Sequence, residues 1–235
     1  MKYFPIFLDV TQQPIALVGR GEAAVAKLRL LLKTKAKITV YDPAPSAQIQ
    51  SWEQDGLLKT SKGGLTLDQA RQAQLIYAAS EDDSCDLQTQ KVAQSAGTLF
   101  NWVDNLQQSQ FITPAIVDRD PVTVAIGTEG TAPVVARAIK RHIEERLPQN
   151  LGALARIGQT FRSLAQALPL GRTRRDFWSS YYFSKGPGAY AARGGQGARQ
   201  ALHELLAEYQ DARPKQGHVD FVGAGPGDPA LLTHK

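Results

Sequence analysis

The strongest constraint on how this 235-residue chain folds is the hexapeptide Gly19-Arg20-Gly21-Glu22-Ala23-Ala24. It follows a short apolar run, Ile15–Gly19 (IALVG). It opens the segment Glu22–Lys33, in which Val25, Leu28 and Leu32 recur at helical spacing. Gly19 permits a tight turn out of a strand, and Gly21 lets the backbone approach a bound group closely. The small Ala24 lets helix and strand pack side by side. The first turn of the helix then offers unpaired N–H groups and a positive dipole end to an anion. The spacing predicts a strand–loop–helix cradle for a pyrophosphate.

The following segments continue the alternation. Lys37–Asp42 (KITVYD) is β-branched and stops at Pro43; Leu75–Ser80 (LIYAAS) reads as a buried strand, with a helical Asp86–Ala96 after it; Leu99–Asp104 (LFNWVD) reads as a fourth strand. Strands alternating with helices predict the α/β class, with a Rossmann-like parallel sheet domain. Ligands in such sheets bind outside the carboxyl ends of the strands. Asp42, 23 residues after Gly19, is placed to accept a hydrogen bond from a ribose 2′-OH and to repel a 2′-phosphate. That favours NAD over NADP, although Asp before Pro is also common turn chemistry. Asp104 is placed beside the same cleft. Following Trp102 and Val103, it is expected to be partly desolvated and a usable proton acceptor; the alternative is a loop carboxylate or an N-cap.

From Phe111 the pattern changes. Phe111–Val117 and Val122–Ile126 flank the turn-like Asp118-Arg119-Asp120-Pro121, which predicts a β-hairpin. Thr131 is placed as an N-cap with Pro133 in the first turn of a helix carrying Val135, Ile139, Ile143 and Leu147, a stripe that suits either core or a dimer interface. The loop Ile126–Pro133 is either an anion-binding nest or a plain loop with a capping threonine. Leu151–Arg213 reads as a small helical domain: Leu154–Leu168, Arg174–Tyr182 and Ala198–Tyr209, with the glycine-rich Lys185–Gly197 as a loop. Nine basic and four acidic side chains in that segment carry the whole formal surplus of +5. Such a surplus calls for an anionic partner. Its aromatics (Phe177, Trp178, Tyr181, Tyr182, Phe183) read as core rather than a nucleic-acid platform. Near the end, Val222-Gly223-Ala224-Gly225-Pro226-Gly227-Asp228-Pro229 is either a second nucleotide-type loop or a glycine–proline tail.

Composition removes other classes. One cysteine excludes a disulfide framework and cysteine-rich metal sites, and the four histidines have no metal-ligand spacing, so no metal site is expected. No apolar run reaches the roughly 18 residues of a membrane span, and Pro5 and Asp9 interrupt any signal-peptide core. A cytoplasmic protein with no membrane and no nucleic-acid partner is expected.

The ordered blocks Pro5-Ile6-Phe7, LVGRGEAAVAKLRLLL, LIYAASEDD, NWVD and FITPAIVDRDPVTVAIGTEGTAPVVARAIKRHIEERLP resemble the siroheme synthase family. They are similar to its precorrin-2 dehydrogenase and sirohydrochlorin ferrochelatase module. The tail VDFVGAGPGDPALLT resembles the first residues of the same family's uroporphyrinogen III methyltransferase domain. The resemblance implies an NAD-binding domain over residues 1–112 and a dimerisation hairpin and helix over 113–148. It further implies a basic helical domain over 149–213, then a linker and the start of a truncated methyltransferase over 214–235. It assigns NAD to Gly19, Gly21, Glu22, Ala23, Asp42, Pro43, Ala44 and Ser80, and makes Asp104 the catalytic base. Asn101, Thr128 and Thr131 fall to the substrate, a tetrapyrrole (precorrin-2, then sirohydrochlorin), and Pro226 to an incomplete S-adenosylmethionine site. The resemblance further implies that S-adenosylmethionine belongs only to the full-length parent, that Fe2+ is a substrate and that two copies form a homodimer. Three positions depart from the family pattern: Arg20 replaces a glycine, and Gly127 and Glu129 replace the usual loop residues, which removes any phosphoserine there. A non-catalytic NAD-sensing domain is the alternative function.

Overall fold

The computed structural model describes residues 1–211, so the linker, Pro226 and the rest of the glycine-rich tail lie outside the described residues. The chain begins β1 (Pro14–Val18), α1 (Glu22–Leu31), β2 (Lys37–Tyr41), α2 (Ala47–Gln54), β3 (Lys59–Ser61), α3 (Leu67–Gln72), β4 (Leu75–Ala78), α4 (Asp83–Ala96) and β5 (Leu99–Trp102). The five strands form one parallel sheet in the order β3-β2-β1-β4-β5. The chain runs outward from β1 to β3, then crosses back to β4, which leaves a switch point between β1 and β4. Crevices at such points are where ligands bind in doubly wound sheets.

The sheet is buried on both faces, as parallel sheets require. Alternation along β1 sends Ile15 and Leu17 to one side, against Leu28, Val40 and Ile49, and Ala16 and Val18 to the other, against Ala70, Ile76 and Phe100. Three elements have no clear signal in the sequence. The edge strand β3 is only Lys-Thr-Ser and buries little apolar surface. It brings α2 and α3 with it; α3 is announced only by a capping box between Thr66 and Gln69. Two strands are shorter than expected: β4 ends before Ser80 and β5 before Asp104.

The hairpin β6 (Ala115–Arg119) and β7 (Val122–Ile126) forms a separate two-stranded sheet. Asp118 and Arg119 belong to β6 rather than to the turn, and Phe111–Pro114 precede the strand. Pro133 opens α5 (Pro133–Arg146), and the hydroxyl of Thr131 just before it donates to the Thr128 carbonyl at 2.7 Å. The α5 stripe is not core at its N-terminal end: Val135 is 50% and Ile139 41% exposed.

The chain divides into two compact units, Met1–Ile116 with Ala125–His142, and Val117–Val124 with the chain from Ile143 onward. The second unit contains α6 (Leu151–Phe161), a 3-10 turn at Leu164–Ala167, α7 (Arg172–Ser180), a π-turn at Tyr181–Lys185, and α8 (Gly186–Asp211). Leu154, Phe161, Phe177, Tyr181, Leu202 and Leu205 fill its core. The aromatic cluster is thus core at Phe177 and Tyr181, but Phe183 is 80% exposed. Two sequence expectations fail here. Leu154–Leu168 is not one helix, because α6 stops at Phe161 and a 3-10 turn follows. Lys185–Gly197 is not a loop but helix, interrupted only at Arg193–Gly194. Two of its glycines serve close packing: a Cβ on Gly197 would strike the Ala189 carbonyl, and one on Gly186 the Tyr181 carbonyl. Composition alone reads such glycines as loop.

Among the described residues no helix is long and apolar enough to cross a membrane, and no cluster of His, Cys, Asp and Glu is arranged to hold a metal ion.

Candidate functional site

The expected nucleotide-binding residues and Asp104 follow the carboxyl ends of β1, β2, β4 and β5, within the first unit. The loop after β1 turns at Gly19, whose φ is +136°. A Cβ there would collide with the Ala79 backbone, so the β1 and β4 ends approach closely only because residue 19 is glycine. Gly21 takes the N-cap position of α1 without a side-chain cap, and Glu22 and Ala23 form the first turn. The backbone N–H of Ala23 donates to the carboxylate of Glu81 at 3.2 Å. A Cβ on Gly21 would fall on the same carboxylate. The cradle thus already receives an anion at the N-terminus of α1, where a pyrophosphate is favoured. Glycines, helix end and stand-in anion together fit a dinucleotide.

Asp42 follows β2 and is 9% exposed. Its Oδ1 accepts from the Ala44 N–H at 2.8 Å, a two-residue turn around Pro43, and lies 3.5 Å from Arg20 Nη1. Asp42 therefore makes the turn that its proline neighbour suggests, at the carboxyl end of β2. Ser80, just past β4, has a bracing role in this arrangement: its N–H and hydroxyl both donate to Asp86 Oδ1, at 3.0 and 2.7 Å, and the buried Asp86 anchors the start of α4.

Asp104 lies in the turn that ends β5. Asn105 N–H closes the turn on the Trp102 carbonyl at 3.1 Å, and Asp104 takes φ +64°. Left-handed backbone is uncommon outside glycine, though Asp and Asn tolerate it best. Asp104 is exposed, not desolvated behind Trp102 and Val103 as expected: it sits in the turn past the end of β5. Lys27, half-buried on α1, feels its charge. The Lys27 Nζ donates to Thr113 Oγ1 at 2.8 Å and stands 5.3 Å from the centre of the Tyr77 ring. Burial pulls the ammonium below its ordinary range, and the negative charge of Asp104 opposes that shift. Tyr77 is buried, packs edge-on against Phe111 at 5.3 Å, and burial pushes its hydroxyl up to about 12, with Thr113 acting the other way.

The expected substrate-binding residues are less uniform. Asn101 is buried, and its amide donates to the Phe111 carbonyl at 2.7 Å, tying β5 to the segment that carries Thr113. Thr128 and Thr131 form a turn closed by Thr131 N–H on Thr128 O at 2.9 Å. Glu129 between them is exposed, and its Oε1 accepts from the backbone N–H groups of Lys2 (2.7 Å) and Tyr3 (3.4 Å). The Lys2 hydrogen bond is the main reason its carboxyl lies below the usual range. The departure from the family loop thus has a local use, stitching the N-terminal segment to the loop.

Sequence reasoning misses Lys27, Glu81 and Thr113. Only Lys27 leaves a signal, a lysine set immediately before the buried Leu28 on an otherwise apolar helix face.

Comparison with known proteins agrees with this layout. Residues 6–115 match the family model described as "Putative NAD(P)-binding", and residues 150–206 match that of the "Sirohaem synthase dimerisation region". The chain is 36% identical to siroheme synthase 1 of Aeromonas hydrophila over 234 residues, 99% of this chain and 50% of that protein. It is 39% identical to the siroheme synthase of Methylococcus capsulatus over 239 residues, with the same coverage. It therefore spans about half the length of the curated relatives it matches. A solved structure, SirC, a precorrin-2 dehydrogenase, shares the fold with a TM-score of 0.68 at 19% identity, over 89% of this chain and 100% of that one. The chain is thus similar to siroheme synthases along nearly its whole length, over about half of theirs, and its residues 150–206 match the dimerisation region of that family.

Proposed function

We propose that this chain is an NAD-dependent precorrin-2 dehydrogenase that also inserts Fe2+ into sirohydrochlorin, within siroheme biosynthesis. One observation carries the reading: the glycine cradle, Asp42 and Asp104 all lie at the carboxyl edge of one sheet, past the ends of β1, β2 and β5. Bound NAD+ supplies the hydride acceptor. Gly19, Gly21, Glu22 and Ala23 hold the pyrophosphate, Asp42, Pro43 and Ala44 bound the adenosine side, and Ser80 keeps the β4 end in place through Asp86. Asp104 accepts the proton that precorrin-2 loses together with the hydride. In the second step Fe2+ enters sirohydrochlorin as two pyrrolic protons leave, and the exposed Asp104 carboxylate takes up protons there as well. Asn101, Thr128 and Thr131 border the macrocycle.

In the same reading residues 1–112 bind the dinucleotide, and 113–148 pair two copies into a homodimer. Residues 149–213 meet the carboxylates of the tetrapyrrole, and 214–235 open a methyltransferase domain. The cytoplasm is the compartment in which a soluble tetrapyrrole and NAD+ meet.

The test is to mix the protein with precorrin-2 and NAD+ and follow absorbance. Conversion to the sirohydrochlorin spectrum, then to that of siroheme on adding Fe2+, is expected. No spectral change with bound NAD+ would replace this reading with the non-catalytic dinucleotide sensor.

A further inference from the structure

The loop residue between the two cradle glycines is an arginine, and it points to the ribose end. Arg20 Nη1 lies 3.5 Å from Asp42 Oδ1; the Arg20 side chain is 55% exposed and that of Asp42 11%. Asp42 is already engaged on its own backbone through Ala44 N–H at 2.8 Å. A second basic residue follows the neighbouring strand. The Asp42 N–H donates to the Ser61 carbonyl at 3.0 Å, and the β2–β3 register pairs Tyr41 with Ser61. The exposed Lys62 therefore follows the strand end directly across from Asp42.

An unaccompanied carboxylate at this position selects a free 2′-hydroxyl by repelling a 2′-phosphate, whereas an arginine nearby accommodates one. Here the carboxylate faces a half-exposed guanidinium. The guanidinium can leave a weak, half-exposed ion pair for a doubly charged phosphate, which it binds more strongly and with two parallel N–H donors. The carboxylate remains available to a ribose hydroxyl when no phosphate is present.

We propose that the Arg20–Asp42 pair makes the adenosine-ribose end of the cradle accept a 2′-phosphate, so that this chain binds NADP(H) as well as NAD(H). The inference rests on the dinucleotide reading above and is independent of any tetrapyrrole chemistry.

The test is a titration of the purified full chain with NADH and with NADPH, followed by nicotinamide fluorescence. The two dissociation constants are expected to agree within about tenfold. The variant Arg20→Gly is expected to weaken NADPH by about tenfold or more, the worth of one charge-assisted hydrogen bond, and NADH by less than about threefold. The variant Arg20→Lys is expected to recover part of the NADPH affinity. Raising the salt concentration is expected to weaken NADPH more than NADH. If the parent chain rejects NADPH by about a hundredfold or more, or if Arg20→Gly leaves the ratio of the two constants unchanged, the proposal is overturned while dinucleotide binding stands. If neither nucleotide binds, the dinucleotide reading falls and takes this proposal with it.

Discussion

The Glu81 carboxylate accepts the backbone N–H of Ala23 at 3.2 Å, at the N-terminus of α1. It lies against Gly21 so closely that a Cβ there would overlap it. One N–H of this helix end is thus engaged by the protein's own anion, which is also held in left-handed backbone at φ +63°. A dinucleotide must displace that carboxylate and then tolerate its charge. Replacing Glu81 with Ala is expected to tighten NADH binding by roughly three- to tenfold, the worth of one modest hydrogen bond and its repulsion. Fluorescence titration checks this, and unchanged or weaker binding would show that the carboxylate does not compete.

Asp104 combines a strained backbone with an exposed carboxylate beside the cleft. Asparagine adopts the left-handed region more readily than most residues. Asp104→Asn is therefore expected to unfold within about 2 °C of the parent or above it, while losing both dehydrogenation and metal insertion and still binding NADH. Asp104→Ala is expected to lose the same activities and about 1 kcal/mol of stability besides. Both variants remove the charge that sustains the Lys27 ammonium, so Lys27 is expected to titrate at lower pH in each, measured by NMR of the lysine side chains. An unmoved Lys27 titration would separate it electrostatically from Asp104.

Tyr77 gives an alkaline signature. Burial raises its hydroxyl from 10.0 to about 12, so the folded chain keeps a proton that the unfolded chain releases. The stability this provides is intact below pH 10 and is lost as pH rises from 10 towards 12, by up to about 1.4 kcal/mol per pH unit for a single proton. Lys27 works in the opposite sense below its unfolded value of 10.5, where its lowered folded value makes stability rise with pH. The Tyr77 slope is therefore read above that point. Denaturant unfolding at pH 10.5 to 12 is expected to show a flatter decline in Tyr77→Phe than in the parent; equal slopes would assign the decline to other groups.

Sequence alone determined the class of fold and the placement of the cradle. Strand, glycines and helix are local features, and a chain that turns on Gly19 into a helix has little freedom to do otherwise. The buried strands β1, β2, β4 and β5 were legible because a parallel sheet covered on both faces must be built from continuous apolar runs. The edge strand β3 was not, since an edge buries too little to need an apolar pattern. The glycines of Lys185–Gly197 misled for the converse reason: their use, close approach between Gly197 and Ala189, lies in packing and leaves no local mark. The site shows the same division. The placement of Gly19, Asp42 and Asp104 past strand ends is legible from the apolar runs that precede them. That of Glu81, Lys27 and Thr113 is not, because each becomes part of the site only through a partner far along the chain: Ala23, Asp104 and Lys27 respectively. Backbone periodicity is written in near neighbours. Hydrogen bonds and charge pairs across a crossover are decided only when the sheet closes and brings the loop ends after β1, β4 and β5 together.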